Sequence, residues 1–231
     1  MSSDDISPYY RHSSHKISLA SRVSYAARMR MFNRFMQIMQ PSPGDTVLDI
    51  GVTSDTTFKE SNFFEQLYPY KEQIVCVGTE NGGHLEQTYP GIKFIQVEPG
   101  QSLPFADKQF DLVFSNAVIE HAGNRASQKA FIAEALRIGK RVFITTPNRL
   151  FPVETHTALP LLHYLPPRFY RAVLGKTPLK FWSDEQNLNL LTKNSLAGLF
   201  PVGCQFEIER VGIGPGLFKS NVVAYTTSPT R

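Results

Sequence analysis

Phe110-Asp-Leu-Val-Phe-Ser115 is a short run of apolar and aromatic residues. A turn phrase, Leu103-Pro-Phe-Ala-Asp107-Lys-Gln, precedes it and Asn116-Ala-Val-Ile-Glu120-His121 follows it. A run this short, between turn signals, reads as a strand. Four similar runs lie around it: Thr46–Ile50, Ile74–Val77, Lys93–Val97 and Arg141–Thr145. Helical stretches at Asn62–Tyr68, Gly83–Tyr89 and Arg125–Ile138 separate them, and such alternation implies parallel strands joined by crossover helices. Two extended runs near the end, Gln205–Val211 and Asn221–Thr227, complete a seven-stranded, mostly parallel sheet with a final antiparallel pair.

Further from that strand the pattern changes twice. Residues Ser18–Gln40 hold no Gly or Pro and carry Tyr25, Met29, Phe32, Met36 and Met39 at steps of four and three, an amphipathic helix that Pro41-Ser-Pro-Gly44 terminates. Residues 1–17 read as a flexible tail and 18–231 as one domain. Asn148–Trp182 is rich in proline and aromatics, with helical phrases at Leu159–Leu165 and Arg168–Leu174; it reads as an inserted lid. A further helix is expected near Thr192–Phe200, and Asn62 with Glu65 has capping-box spacing.

The 231 residues suffice for one large core, and 42% hydrophobic with 19% charged residues is ordinary globular composition. No leader-like apolar run opens the chain and Cys76 and Cys204 lack metal or redox spacing, so a cytoplasmic protein is expected. The net charge of +4 is concentrated in residues 1–40. A neutral body behind a basic lead-in segment argues against nucleic acid as a partner. The basic helix 18–40 leaves two roles open, a cover packed on the sheet or a weak peripheral contact with an anionic membrane.

In an open parallel sheet ligands gather beyond the carboxyl ends of the strands, so the informative residues follow each strand. Gly51 after the first strand permits a tight turn, and Glu80 after the second stands where one carboxylate would grip a ribose diol. Asp49 and Glu80 as simple strand-end caps remain the alternative. The Gly-x-Gly-x-x-Gly turn of a dinucleotide oxidoreductase is absent, which disfavours that class.

The phrase Leu103–His121, with its Leu-Pro-Phe turn, its Phe-Asp strand opening and its Val-Ile-Glu120-His121 ending, strongly resembles a signature of the class I S-adenosylmethionine-dependent methyltransferases. Thr146-Pro-Asn148-Arg149 through His163 resembles a bacterial subgroup of the type 11 methyltransferases. The resemblance implies a Rossmann-like fold, S-adenosylmethionine as cofactor, and methyl transfer to an oxygen or nitrogen of a small-molecule or lipid-linked acceptor. It implies that Asp49, Gly51 and Thr53 border the methionine moiety, that Glu80 holds the ribose, that Gly100 and Gln101 flank the adenine and that Asn116 lines the cleft. The sequence departs from the family's Gly-x-Gly-x-Gly core with Thr53 and Asp55, and has Pro99 where an adenine-contacting Asp is common. A catalytically inactive binding module is therefore the second reading.

Methyl transfer from a sulfonium needs alignment and no metal, and a histidine suits the base that a hydroxyl or amine acceptor requires. His121 and His156 are the candidates, with Asn148, Arg149, Glu154 and His163 as acceptor-binding groups. Each histidine is also readable as one held by a backbone hydrogen bond. Glu154, His156 and His163 do not have the spacing of a known ligand set, so no metal is expected.

Overall fold

The computed structural model describes residues 19–58 and 60–227. Its seven strands are β1 (Val47–Ile50), β2 (Ile74–Gly78), β3 (Lys93–Gln96), β4 (Phe110–Asn116), β5 (Gly139–Pro147), β6 (Phe206–Val211) and β7 (Asn221–Thr226). They form one sheet in the order β3-β2-β1-β4-β5-β7-β6. β1 to β5 run parallel, with Val47 opposite both Ile74 and Leu112, and β7 is antiparallel to β5 and β6. The order reverses between β1 and β4, which places the binding crevice beyond their carboxyl ends. Every expected strand is present, with boundaries moved by at most two residues.

Side chains of β4 contribute to two cores, one on each face of the sheet. Leu112 and Phe114 join α1 (Leu19–Met39) and α2 (Phe63–Leu67) on one side. Phe110 and Val113 join α4 (Arg125–Ile138) and α6 (Lys193–Ala197) on the other. A short α3 (Leu85–Thr88) links β2 to β3. Asn124 caps α4 by accepting from the Ala126 and Ser127 amides, and Thr192 with Ser195 forms a capping box at α6.

The N-terminal helix belongs to the first core. Phe35 is wholly buried and meets the rings of Phe64, Phe114 and Phe143 edge-on at 5.1, 5.4 and 5.3 Å. Its buried face is Ala27, Met31, Phe32, Phe35 and Met39, whereas the sequence placed Tyr25, Met29 and Met36 there; these three are only partly covered. Sheet and α2 together enclose a broader face than one stripe of every third or fourth residue. Arg30 and Arg34 do not simply face water. The Arg30 guanidinium donates to the Gly212 carbonyl at 2.8 Å and Arg34 to the Glu209 carboxylate at 2.6 Å. Residues 1–17, read as a tail, lie outside the described residues, as does Ser18.

The insertion after β5 has its own small core of Tyr170, Leu174, Trp182 and Leu188, with α5 (Pro167–Leu174) as its one α-helix. The Leu159–Leu165 phrase narrows to a single 3-10 turn at Leu162–Tyr164, because Ala158 and Leu161 adopt positive φ and Pro160 supplies no amide. Among the described residues, no helix is long and apolar enough to cross a membrane.

Candidate functional site

Two groups of polar side chains lie beyond the carboxyl ends of the parallel strands. The first is built on the loop after β1. Gly51 turns the chain at φ 102°, and an added Cβ would collide with a methyl of Val118 in the loop after β4, so glycine is required there. The next residues wind around Asn62. Its side-chain oxygen accepts from the Thr53 amide at 3.0 Å, and its side-chain nitrogen donates to the carbonyls of Thr53 at 2.8 Å and Asp55 at 3.3 Å. Asn62 takes left-handed φ and makes no cap with its side chain, so the expected capping box does not form. Its amide is committed to the loop, and Glu65 turns inward.

Glu80 is drawn into the same loop. Its Oε2 accepts from the Ser54 amide at 3.1 Å, the Ser54 hydroxyl at 2.6 Å and the Thr53 hydroxyl at 3.4 Å, which leaves Oε1 outside this set. The Ser54 carbonyl is pinned by His84 Nε2 at 2.8 Å. Asp49 is buried beside Glu65, and Cys76 donates its thiol to Glu65 Oε1 at 3.3 Å. Burial, then the Glu65 carboxylate, raises Asp49 well above the usual carboxylate range. Asn116 accepts from the Thr145 hydroxyl at 2.6 Å, and Gly100 and Gln101 are exposed beyond β3. These candidates therefore surround one sheet edge, Asp49 from beneath.

The second group gathers where the loop after β4 meets the insertion. A 3-10 turn at Ile119–His121 buries the Glu120 carboxyl completely. Its Oε2 accepts from the Thr146 hydroxyl at 2.9 Å, while Oε1 has no hydrogen-bond partner among the described residues. Burial pushes Glu120 up to about 7. His121 bonds through Nδ1 to the Asn187 carbonyl at 2.6 Å, and burial, reinforced by His156, depresses it to about 3. His156 bonds through Nδ1 to Glu154 Oε1 at 2.7 Å.

Glu154 also accepts the amides of His156 at 2.9 Å and Thr157 at 2.7 Å. Burial alone would raise Glu154, but these bonds and the imidazole outweigh it and bring the carboxyl to about 2. Burial likewise works against charge on His156, and the bond to Glu154 overrides it, so His156 is raised. The two imidazole rings stand edge-to-face at 4.8 Å, and the sole tryptophan, Trp182, covers them at 4.9 Å from His156 and 6.0 Å from His121. One histidine is thus held neutral and its neighbour basic, both mostly buried beside Trp182.

Three candidates read from the sequence, His121, His156 and Glu154, come together here. The other three lie in the insertion's scaffold. Asn148 donates to the carbonyls of Leu217 and Lys219, Arg149 to those of His163 and Leu165, and His163 is bonded through Nε2 to the Phe151 carbonyl. Glu120, Trp182, Thr146 and the Asn187 carbonyl are the additions. Glu120 was signalled by its adjacency to His121 and Trp182 by being the only tryptophan; nothing local marks the other two.

Residues 61–142 match the family model described as a methyltransferase domain. No curated protein matches the chain in sequence. Among solved structures, the chain is similar to the PH0226 protein from Pyrococcus horikoshii OT3, with TM-score 0.62 and 17% identity over 97% of this chain and 99% of that one. It is also similar to the CurJ carbon methyltransferase, with TM-score 0.59 and 12% identity over 98% of this chain but only 62% of that longer one. The N-methyltransferase NodS from Bradyrhizobium japonicum WM9, solved with S-adenosyl-L-homocysteine, gives TM-score 0.54 and 11% identity over 87% of each chain.

Proposed function

We propose that this chain, a class I S-adenosylmethionine-dependent methyltransferase by its sheet order and domain match, methylates an oxygen or nitrogen of a small-molecule acceptor under the insertion 148–182. The observation that carries the reading is the Glu120, His121 and His156 cluster beneath Trp182, one sheet edge away from the loop that Glu80 braces.

In this reading Glu80, through Oε1, would hold the ribose of S-adenosylmethionine, Gly100 and Gln101 would flank its adenine, and the bound cofactor would supply the methyl group. The acceptor's lone pair attacks the methyl carbon in line with the breaking C–S bond. The bound sulfonium would supply both the methyl group and the leaving thioether, and the histidine cluster would take the acceptor's proton. His156 is the member suited to take it, because Glu154 stabilises the imidazolium. Burial beneath Trp182 excludes water and holds the acceptor in line, which is most of what methyl transfer asks of a protein.

For α1 the structural role is favoured over a membrane contact. Its apolar face is buried against the sheet, and Arg30 and Arg34 are engaged by Gly212 and Glu209. The binding-module reading draws on one observation, the loop Thr53–Asp55 already satisfied by Asn62. Calorimetry with S-adenosylhomocysteine, followed by radiolabelled methyl transfer into the aqueous and organic fractions of a metabolite extract, separates the possibilities. Binding with label in the aqueous fraction, lost in His156→Ala while cofactor affinity persists, supports the proposal. Label confined to the organic fraction assigns a lipid-linked acceptor, and failure to bind the cofactor leaves only a module.

A further inference from the structure

We propose that Glu120, His121 and His156 form a binding site for a divalent transition-metal ion of the zinc class, with a fourth position open towards the acceptor. One ligand atom from each residue lies within 4.8 Å of the others. The hydrogen bonds fix which atoms these are. The Asn187 carbonyl can only accept, so His121 carries its hydrogen on Nδ1 and presents a lone pair on Nε2. Glu154 holds the hydrogen of His156 on Nδ1 in the same way, so Nε2 of that ring is the electron-rich atom. Thr146 occupies Oε2 of Glu120, and the buried Oε1 lacks a hydrogen-bond partner among the described residues and stands 4.0 Å from His121 Nε2.

Three atoms of ligand type therefore lie within 4.8 Å of one another, where one positive charge could be shared among them. A proton does this incompletely, because it bridges only two of the three. A divalent ion serves all three at once. The surroundings match what a metal ligand requires: each ligating histidine donates its other nitrogen to a carboxylate or carbonyl, and the ligating carboxylate is itself hydrogen-bonded. Two imidazoles and one carboxylate suit zinc or its first-row neighbours rather than magnesium or calcium, and three protein ligands with one open place are the pattern of sites that engage a substrate. With bonds of about 2.0–2.1 Å to a tetrahedral ion, ligand atoms stand about 3.3 Å apart, so closure needs about 1.5 Å of side-chain rotation.

The site uses His156 from the sequence's candidates but replaces Glu154 and His163. Glu154 orients the ligand from behind, and His163 is bonded to the Phe151 carbonyl. The acceptor's place at the open position rests on the methyl-transfer reading, whereas the binding of the ion does not. With an ion bound, the ion and not His156 offsets negative charge developing on an acceptor oxygen.

The test is direct binding to the full chain after chelator treatment, with Zn²⁺ followed by competition calorimetry and Co²⁺ by its visible absorption. One equivalent should bind, with a Co²⁺ spectrum of low coordination number, and Mg²⁺ should not compete. His121→Ala and His156→Ala should each weaken Zn²⁺ at least tenfold, and Glu154→Gln about 10- to 100-fold through ligand orientation. Glu120→Gln, which keeps the shape and the bond to Thr146, should also weaken it. Zn²⁺ affinity unchanged in the His121→Ala/His156→Ala double variant, with circular dichroism showing an intact fold, overturns the proposal. S-adenosylhomocysteine affinity measured on the metal-free protein reports separately on the methyltransferase reading.

Discussion

Replacing Glu80 by Gln examines the cofactor assignment with little change in shape. In the structure Oε2 of Glu80 takes three hydrogen bonds, from the Ser54 amide, the Ser54 hydroxyl and the Thr53 hydroxyl. The Ser54 amide can only donate, so the glutamine must turn its oxygen towards the loop. Its NH₂ group then occupies the place where Oε1 would accept from the ribose hydroxyls. Two bonds to a charged acceptor, each worth about 1.5–3 kcal/mol, are at stake. Water and readjustment of the sugar recover part of this, so a net loss of about 1.5–3 kcal/mol is expected, or roughly 10- to 150-fold in Kd. Calorimetric titration with S-adenosylhomocysteine measures it, alongside a thermal melt that should move little because the Ser54 bonds survive. An affinity within about twofold of the parent protein, with an unchanged melt, refutes the assignment of Glu80 to the ribose and leaves it as a brace for the loop.

Three other expectations follow from the packing and the ionisation of the site. Phe35→Ala should destabilise the protein by about 3–5 kcal/mol in chemical denaturation, the cost of deleting a buried aromatic; a loss below about 1 kcal/mol would mean that α1 is not part of the core. In the metal-free protein, where His156 is raised by Glu154 and must be neutral to take a proton, the rate should fall as pH drops through its elevated pKa. Glu154→Gln should move that limb to lower pH, and an unmoved limb would dissociate His156 from the proton transfer. Asp111 is lowered from 3.8 to about 2: burial opposes its charge, but bonds from Lys140 and Thr46 outweigh that effect. A depressed carboxyl stabilises the fold above its unfolded pKa and loses that contribution as pH falls through the folded one. Asp111→Asn should therefore flatten the acid limb of stability between about pH 4 and 2, by about 1 kcal/mol once partial exposure is allowed for. Parallel acid-denaturation curves would contradict it.

The sheet was legible because its strands are short, β-branched and separated by crossover helices, and because burial on both faces makes such runs apolar throughout. The order in which they pair is not local information, and only the structure supplies it. At α1 the helix was plain and the buried face was read in part: Phe32 and Met39 are buried and Met36 packs against the core, but the stripe omits Ala27, Met31 and Phe35, the last of which sits in the aromatic cluster. Asn62 shows a different limit. Its spacing to Glu65 fits a cap, yet three partners at Thr53 and Asp55 outcompete one amide at the helix start. Of the site, His121 and His156 were readable as residue types near strand ends. Glu120 was missed as an actor because its role depends on Thr146 and the insertion, both distant in sequence.

The bonds that tie α1 to the last two strands also set a timetable for synthesis. Arg34 precedes its partner Glu209 by 175 residues, and β7 follows β6. At translation rates of about 5–20 residues per second, α1 leaves the ribosome roughly 9–35 s before that partner is made. For the first part of that interval, until Phe64, Phe114 and Phe143 have been made, Met31, Phe32, Phe35 and Met39 form an apolar surface whose cover does not yet exist. Exposed apolar surface of this kind is what makes a nascent chain prone to aggregation, and the last two strands, through Gly212 and Glu209, latch the helix once they are in place.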